Sequence, residues 1–146
     1  MDPLNVLADR VKTYLADMGL EPNQTAGDLF LFKYGSTAVM ISLFGEDRCT
    51  YCRFASIVLK DVEPNLELLQ RILRLNTEVL FGAFLLFEDN TVSFSATLLG
   101  DHLDFPEFER TLRYVAKVSD DYDDELQALG GGKRALDLLE DVEEKP

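Results

Sequence analysis

The chain has 146 residues, 47% of them hydrophobic and 28% charged, which is the balance of one folded domain and not of a disordered segment. No apolar run approaches the roughly 20 residues that span a bilayer, and MDPLNVLADRVK lacks the basic-then-apolar pattern of a secretory leader, so the expected location is the cytoplasm. A formal net charge of −13 repels phosphate; it disfavours direct binding to nucleic acid or to an acidic membrane and favours a basic protein partner.

The first predicted element is a helix over residues 3–18. Asp2-Pro3 supplies a cap and a first-turn proline, Gly19 a stop, and Leu4, Leu7, Val11, Tyr14, Leu15 and Met18 form one apolar stripe. The stretch GLEPNQTAG reads as a loop. Three strands follow, Leu29 to Tyr34, Thr37 to Phe44 and a run beginning CTYCRFASIVL, separated by turns short enough to demand antiparallel pairing.

Asp61 to Pro64 opens a second helix, predicted to run through about Thr77. Leu66, Leu69, Ile72 and Leu73 share a stripe that Leu68 and Leu75 widen, so this helix is apolar over more than one face. Two strands come next, residues 80–87 and 91–98, joined at Asp89-Asn90. The second alternates cleanly, with Val92, Phe94, Ala96 and Leu98 on one side and Thr91, Ser93, Ser95 and Thr97 on the other. The first is apolar on both sides and is expected to be covered twice.

Asp104 and Glu107 read as a capping box, after which Phe108, Leu112, Val115, Ser119, Tyr122, Leu126 and Leu129 carry a helical stripe to Gly130-Gly131-Gly132. The domain is expected to span residues 1–129. Residues 130–146 form a glycine hinge and an acidic tail in which KRALDLLEDV has the pattern of a short helix, with Leu138, Leu139 and Val142 apolar. From Ser119 to the end there are 10 acidic and 3 basic residues, so more than half of the net charge lies there.

None of the reactive groups forms a recognisable constellation. Cys49 and Cys52, three apart on a strand, point to opposite faces and cannot share a metal or bond easily to each other; a redox pair would need a helix N-terminus, and a structural zinc four ligands. His102 has no nucleophile motif beside it. The acidic run SDDYDDE lies within a helical stripe and lacks the glycine turn of a calcium loop; GGGK lacks the strand and hydroxyl of a phosphate loop. The chain is therefore expected to be no enzyme and to need no cofactor or metal. The surplus apolar surface of the second helix and fourth strand covers either another chain or a last helix folded back over it.

The order helix, three strands, helix, two strands, long helix resembles the type III secretion chaperone-like fold, and the YbjN family in particular. The segments FASIVLKDVEP, LLQRILRLN, FGAF, EDNTVSF and LRYVAKVSDDYDDELQ carry the resemblance, over about residues 3–129. The resemblance implies an α+β fold, an antiparallel sheet flanked by helices. It also implies a non-enzymatic, chaperone-like protein-binding module, acting as an acidic homodimer that holds a protein or peptide client. The charge extends that expectation to a basic client such as a nucleic-acid-binding protein. Carried onto this chain, the family's dimer interface falls on Leu68, Leu69, Ile72 and Leu75 with Phe84 and Leu86. The alternative is a small regulatory adaptor that responds to a ligand or signalling partner.

Overall fold

The computed structural model describes residues 2–138. Helix α1 (Pro3–Asp17) begins where the Asp2 carboxylate accepts a hydrogen bond from the Leu4 amide at 3.0 Å. It ends at Gly19, whose φ of 73° lets the Leu20 amide reach back to the Leu15 carbonyl. Strands β1 (Asn23–Ala26), β2 (Leu29–Tyr34), β3 (Thr37–Glu46) and β4 (Cys49–Lys60) form a meander; helix α2 (Leu66–Glu78) crosses over to β5 (Ala83–Leu86), and β6 (Val92–Leu99) returns between β5 and β4. Helix α3 (Phe105–Gly130) follows, and a last strand, β7 (Lys133–Arg134), pairs with β4. The result is a seven-stranded antiparallel sheet in the order β1-β2-β3-β4-β6-β5, with β7 on β4, and α helices against one face: an α+β fold, as the order of elements led one to expect.

The side chains on the helix-covered face explain the arrangement. In register across β2, β3, β4 and β6 lie Phe30, Ile41, Phe54 and Ala96, and next to them Phe32, Val39, Ser56 and Phe94. Every one of these is buried. Onto them α3 lays Phe108, Leu112, Val115 and Leu126, and α1 lays Leu7, Val11 and Leu15. The Phe54 and Phe108 rings meet at 5.2 Å between centroids. Helix α2 packs on α3 and β5, and its Asn76 side chain both donates to the Phe84 carbonyl (3.2 Å) and accepts from the Phe84 amide (2.7 Å).

Four features differ from the sequence reading. Part of the expected loop before Leu29 is β1, paired with β2 through Asn23, Gln24 and Ala26. Helix α2 starts at Leu66, because Asn65 caps it through the Leu68 amide (2.9 Å) and Pro64 stands outside. Strand β5 is not covered on both sides. It is the sheet's edge, with Leu85 37% and Leu86 36% exposed. The packed chain also continues past Leu129: the glycine run turns back so that Gly132 passes against the Lys60 carbonyl, and a helical turn occupies residues 135–138. Leu139 and Val142 of the expected final helix, and the end of the acidic tail, lie outside the described residues.

Candidate interaction surfaces

Strand β4 decides the fate of the cysteines. Its even-numbered residues from Thr50 to Val58 are buried and its odd-numbered ones reach the other face. Cys52 is fully buried, paired with Leu43 and Leu98, and burial pushes its thiol up to about 12; Cys49 is half-buried on the opposite face. His102 is exposed beyond the end of β6. In the acidic run, Asp121 pairs with Lys117, Glu125 with Arg71 and Asp124 with Arg134, while the buried Ser119 donates to the Ile57 carbonyl at 3.4 Å. Asp123 is half-buried on α3; burial first, then the neighbouring Asp124 and Asp120, raises its carboxyl to about 6. These residues do not converge on a shared reacting centre.

What the described residues do present is apolar surface, in two places. The first is the sheet face turned away from the helices. Leu31, Met40, Ala55, Ser95 and Ala83 lie in one cross-strand row there, with Ile57, Ser93 and Leu85 in the next. The middle of this face carries small side chains, Ala38, Ala55 and Ser93, and its borders carry large ones, Leu31, Met40, Ile57 and Phe87. Small beside large makes a groove, of about 520 Å³. Lys33 and Lys60 also line it, as does Asp89 near the β5–β6 turn. The other half of the same face is filled: Phe44 stacks on Tyr51 at 5.3 Å, and the Arg53 guanidinium lies 4.8 Å over the Phe44 ring while donating to Thr97.

The second surface is the rim formed by α2 and β5. Leu66 and Leu73 are each 69% exposed and Leu80 82%; Phe81, Leu85 and Leu86 continue the patch. The six residues expected at a dimer interface divide here. Leu68, Ile72, Leu75 and Phe84 are buried in this chain's own core, because the stripe they form faces α3 and the sheet. Leu69 is half-buried and Leu86 exposed. The groove was not singled out from the sequence, although a signal was present: Met40 and Phe44 between Val39, Ile41 and Leu43, and Ile57 after Phe54, make both faces of β3 and β4 apolar.

Among the described residues no helix is long and apolar enough to cross a membrane. The family model described as T3SS (YopN, CesT) and YbjN peptide-binding chaperone 1 matches residues 5–138. No curated protein matches the sequence. Among solved structures, a chain of the ExsC–ExsE complex superposes with a TM-score of 0.70 at 17% identity, covering 86% of this chain and 97% of that one. YbjN from E. coli superposes with a TM-score of 0.59 at 15% identity, covering 80% of this chain and 91% of that one. At such identities the likeness is one of fold.

Proposed function

The chain belongs to the T3SS and YbjN peptide-binding chaperone family, and from that premise we propose that it acts without catalysis, holding an extended segment of a protein client in the groove on the open face of its sheet. The groove carries the reading. It is open, apolar and built on a rigid sheet, with a width set by alternating small and large side chains, and an extended chain offers side chains at the matching spacing of alternate residues. The complex of ExsC with ExsE supports a protein as the occupant. The net charge of −13 supports a client with basic segments, whose encounter charge would speed while apolar contact sets the lifetime. We further propose a homodimer through the α2–β5 rim, in which the surface members of the expected interface, Leu69 and Leu86, join Leu66, Leu73, Leu80 and Leu85.

The test uses a fluorescein-labelled peptide that alternates leucine and threonine between terminal arginines. Fluorescence anisotropy is expected to show binding to the wild type and a loss of about tenfold or more on Met40→Glu, which sets a charge in the apolar groove. An unchanged affinity would remove the groove from the function. Capture of folded partners with no binding of the peptide would favour a regulatory adaptor. Leu73→Asp is expected to convert the dimer to a folded monomer in sedimentation velocity; a wild type that sediments as a monomer at high concentration would end the dimer proposal.

A further inference from the structure

Strand β4 is longer than its neighbour. The β3–β4 ladder stops at Val39 opposite Ser56, whereas β4 runs on to Lys60 and remains paired with β6 as far as Leu59 opposite Val92. On the β3 side, among the described residues, this overhang is paired by β7 alone, a strand of two residues: Arg134 opposite Leu59 and Lys133 opposite Lys60. The edge at β5 is closed differently, since Asn76 occupies both the amide and the carbonyl of Phe84. The groove reaches the β4 overhang, because Ile57 and Lys60 line it.

The attachment of β7 runs through a few residues. Gly131 and Gly132 bring it in with φ of 67° and 86°. Beyond them it is tied by Gln127, which donates to the Gly132 carbonyl and to Asp137, and by Arg134, which pairs with Asp124 and Asp137. Asp124 is largely exposed, and ion pairs at such positions contribute little. The register also sets Lys133 directly across from Lys60. Residues opposite each other share a face, so whatever stands across from Lys60 stands at the groove.

We propose that β7 is a placeholder: an extended client segment pairs with residues 57–60 of β4 in its place, presenting a carboxylate across from Lys60 and apolar side chains to the groove. This rests on the peptide-binding reading above and adds to it a site of backbone pairing, a residue preference and a competition between client and the chain's own C-terminal segment. A client suited to it has basic flanks and one acidic residue within its apolar stretch. Client affinity is then reduced by the fraction of molecules in which β7 is seated.

Two substitutions unseat β7 in different ways. Gly132→Ala would set a Cβ 2.4 Å from the Lys60 carbonyl oxygen at a φ of 86°; Arg134→Ala removes the ties to Asp124 and Asp137. The probe is the arginine-flanked leucine–threonine peptide with a single central glutamate. Each substitution is expected to tighten its binding by about threefold to tenfold, and a central lysine in the peptide to weaken it by a similar factor. In the wild type, saturating peptide is expected to speed hydrogen exchange across residues 130–138, a measurement that needs no variant to fold. Peptide that binds the wild type but neither gains from the substitutions nor speeds that exchange would overturn the placeholder and leave the groove standing. Peptide that binds no form of the protein would overturn both.

Discussion

Along β4 the same backbone serves two surfaces that differ in what covers them. On one side Cys52, Phe54 and Val58 are fully buried beneath the helices. On the other, Tyr51 and Arg53 join an aromatic and cationic stack, and then Ala55 and Ile57 line an open groove. Both faces are apolar in composition, so hydrophobicity alone does not separate core from binding surface. Size does. The covered face places phenylalanines on neighbouring strands where α3 can interlock with them, whereas the open face places alanine and serine at its centre, leaving room for something outside the chain.

The largest expected effect sharpens that contrast directly. Phe54→Ala would empty a site in contact with Phe108 and cost about 3–5 kcal/mol, which a chemical denaturation curve would show as a shifted midpoint. Met40→Ser, on the open face at 37% exposure, is expected to stay within about 0.5 kcal/mol of the wild type while weakening peptide binding. If Met40→Ser costs as much as Phe54→Ala, the open face is core and the comparison fails.

Periodicity made the inner face legible and the outer one much less so. Val92, Phe94, Ala96 and Leu98 against the threonines and serines of β6 gave both the strand and its buried side, and the carboxylate of Asp104 does accept from the Glu107 amide (2.9 Å) at the start of α3. Strand β7 could not be read, because two residues hold no period and Lys133-Arg134 has no apolar side to alternate. Strand β1 was hidden by turn residues at and beside it, Pro22, Asn23 and Gly27. The α2 residues assigned to an interface illustrate a different limit. A wide apolar stripe gives the number of faces to be covered, but Ile72 and Leu73 are neighbours in sequence, and only their placement against α3 shows that one is core and the other 69% exposed.

The cysteines test the two faces with smaller effects. Cys52→Ser would bury a hydroxyl between Leu43 and Leu98, a loss of about 1–3 kcal/mol, whereas Cys49→Ser is expected to be within about 0.5 kcal/mol of neutral. With an Ellman-type thiol reagent on the native protein, Cys49 is expected to react and Cys52 to stay protected until unfolding, because burial keeps it a thiol far above neutral pH. Equal reaction at both positions would mean that β4 does not alternate as described.

Two carboxylates carry the contrast to its smallest scale, Asp123 on α3 and Asp137 in the C-terminal return. Asp137 is held down to about 2, first by the hydrogen bond from Arg134, so what it contributes is present above the ordinary value of 3.8 and is lost as the pH falls toward 2. Asp123 behaves in the opposite sense. Its carboxyl, raised to about 6 by burial and by Asp124 and Asp120, holds a proton in the folded chain that the unfolded chain gives up. Between about pH 4 and 6 the folded state therefore binds more protons, and stability contributed at this site rises as the pH falls through that window. Asp123→Asn removes a charge that is unfavourable at pH 7. Because the group is in part solvated, the gain is discounted to under about 1 kcal/mol, a rise in Tm of about 2–4 °C at pH 7. The same substitution is expected to leave Tm unchanged at pH 4, where the wild-type carboxyl is already protonated in the folded chain. Thermal melts of the two proteins at pH 4 and 7 measure the difference. A Tm gain that is the same at both pH values would assign the effect to packing and not to the charge, and a loss at pH 7 would show that the Asp123 carboxylate is stabilised where it stands.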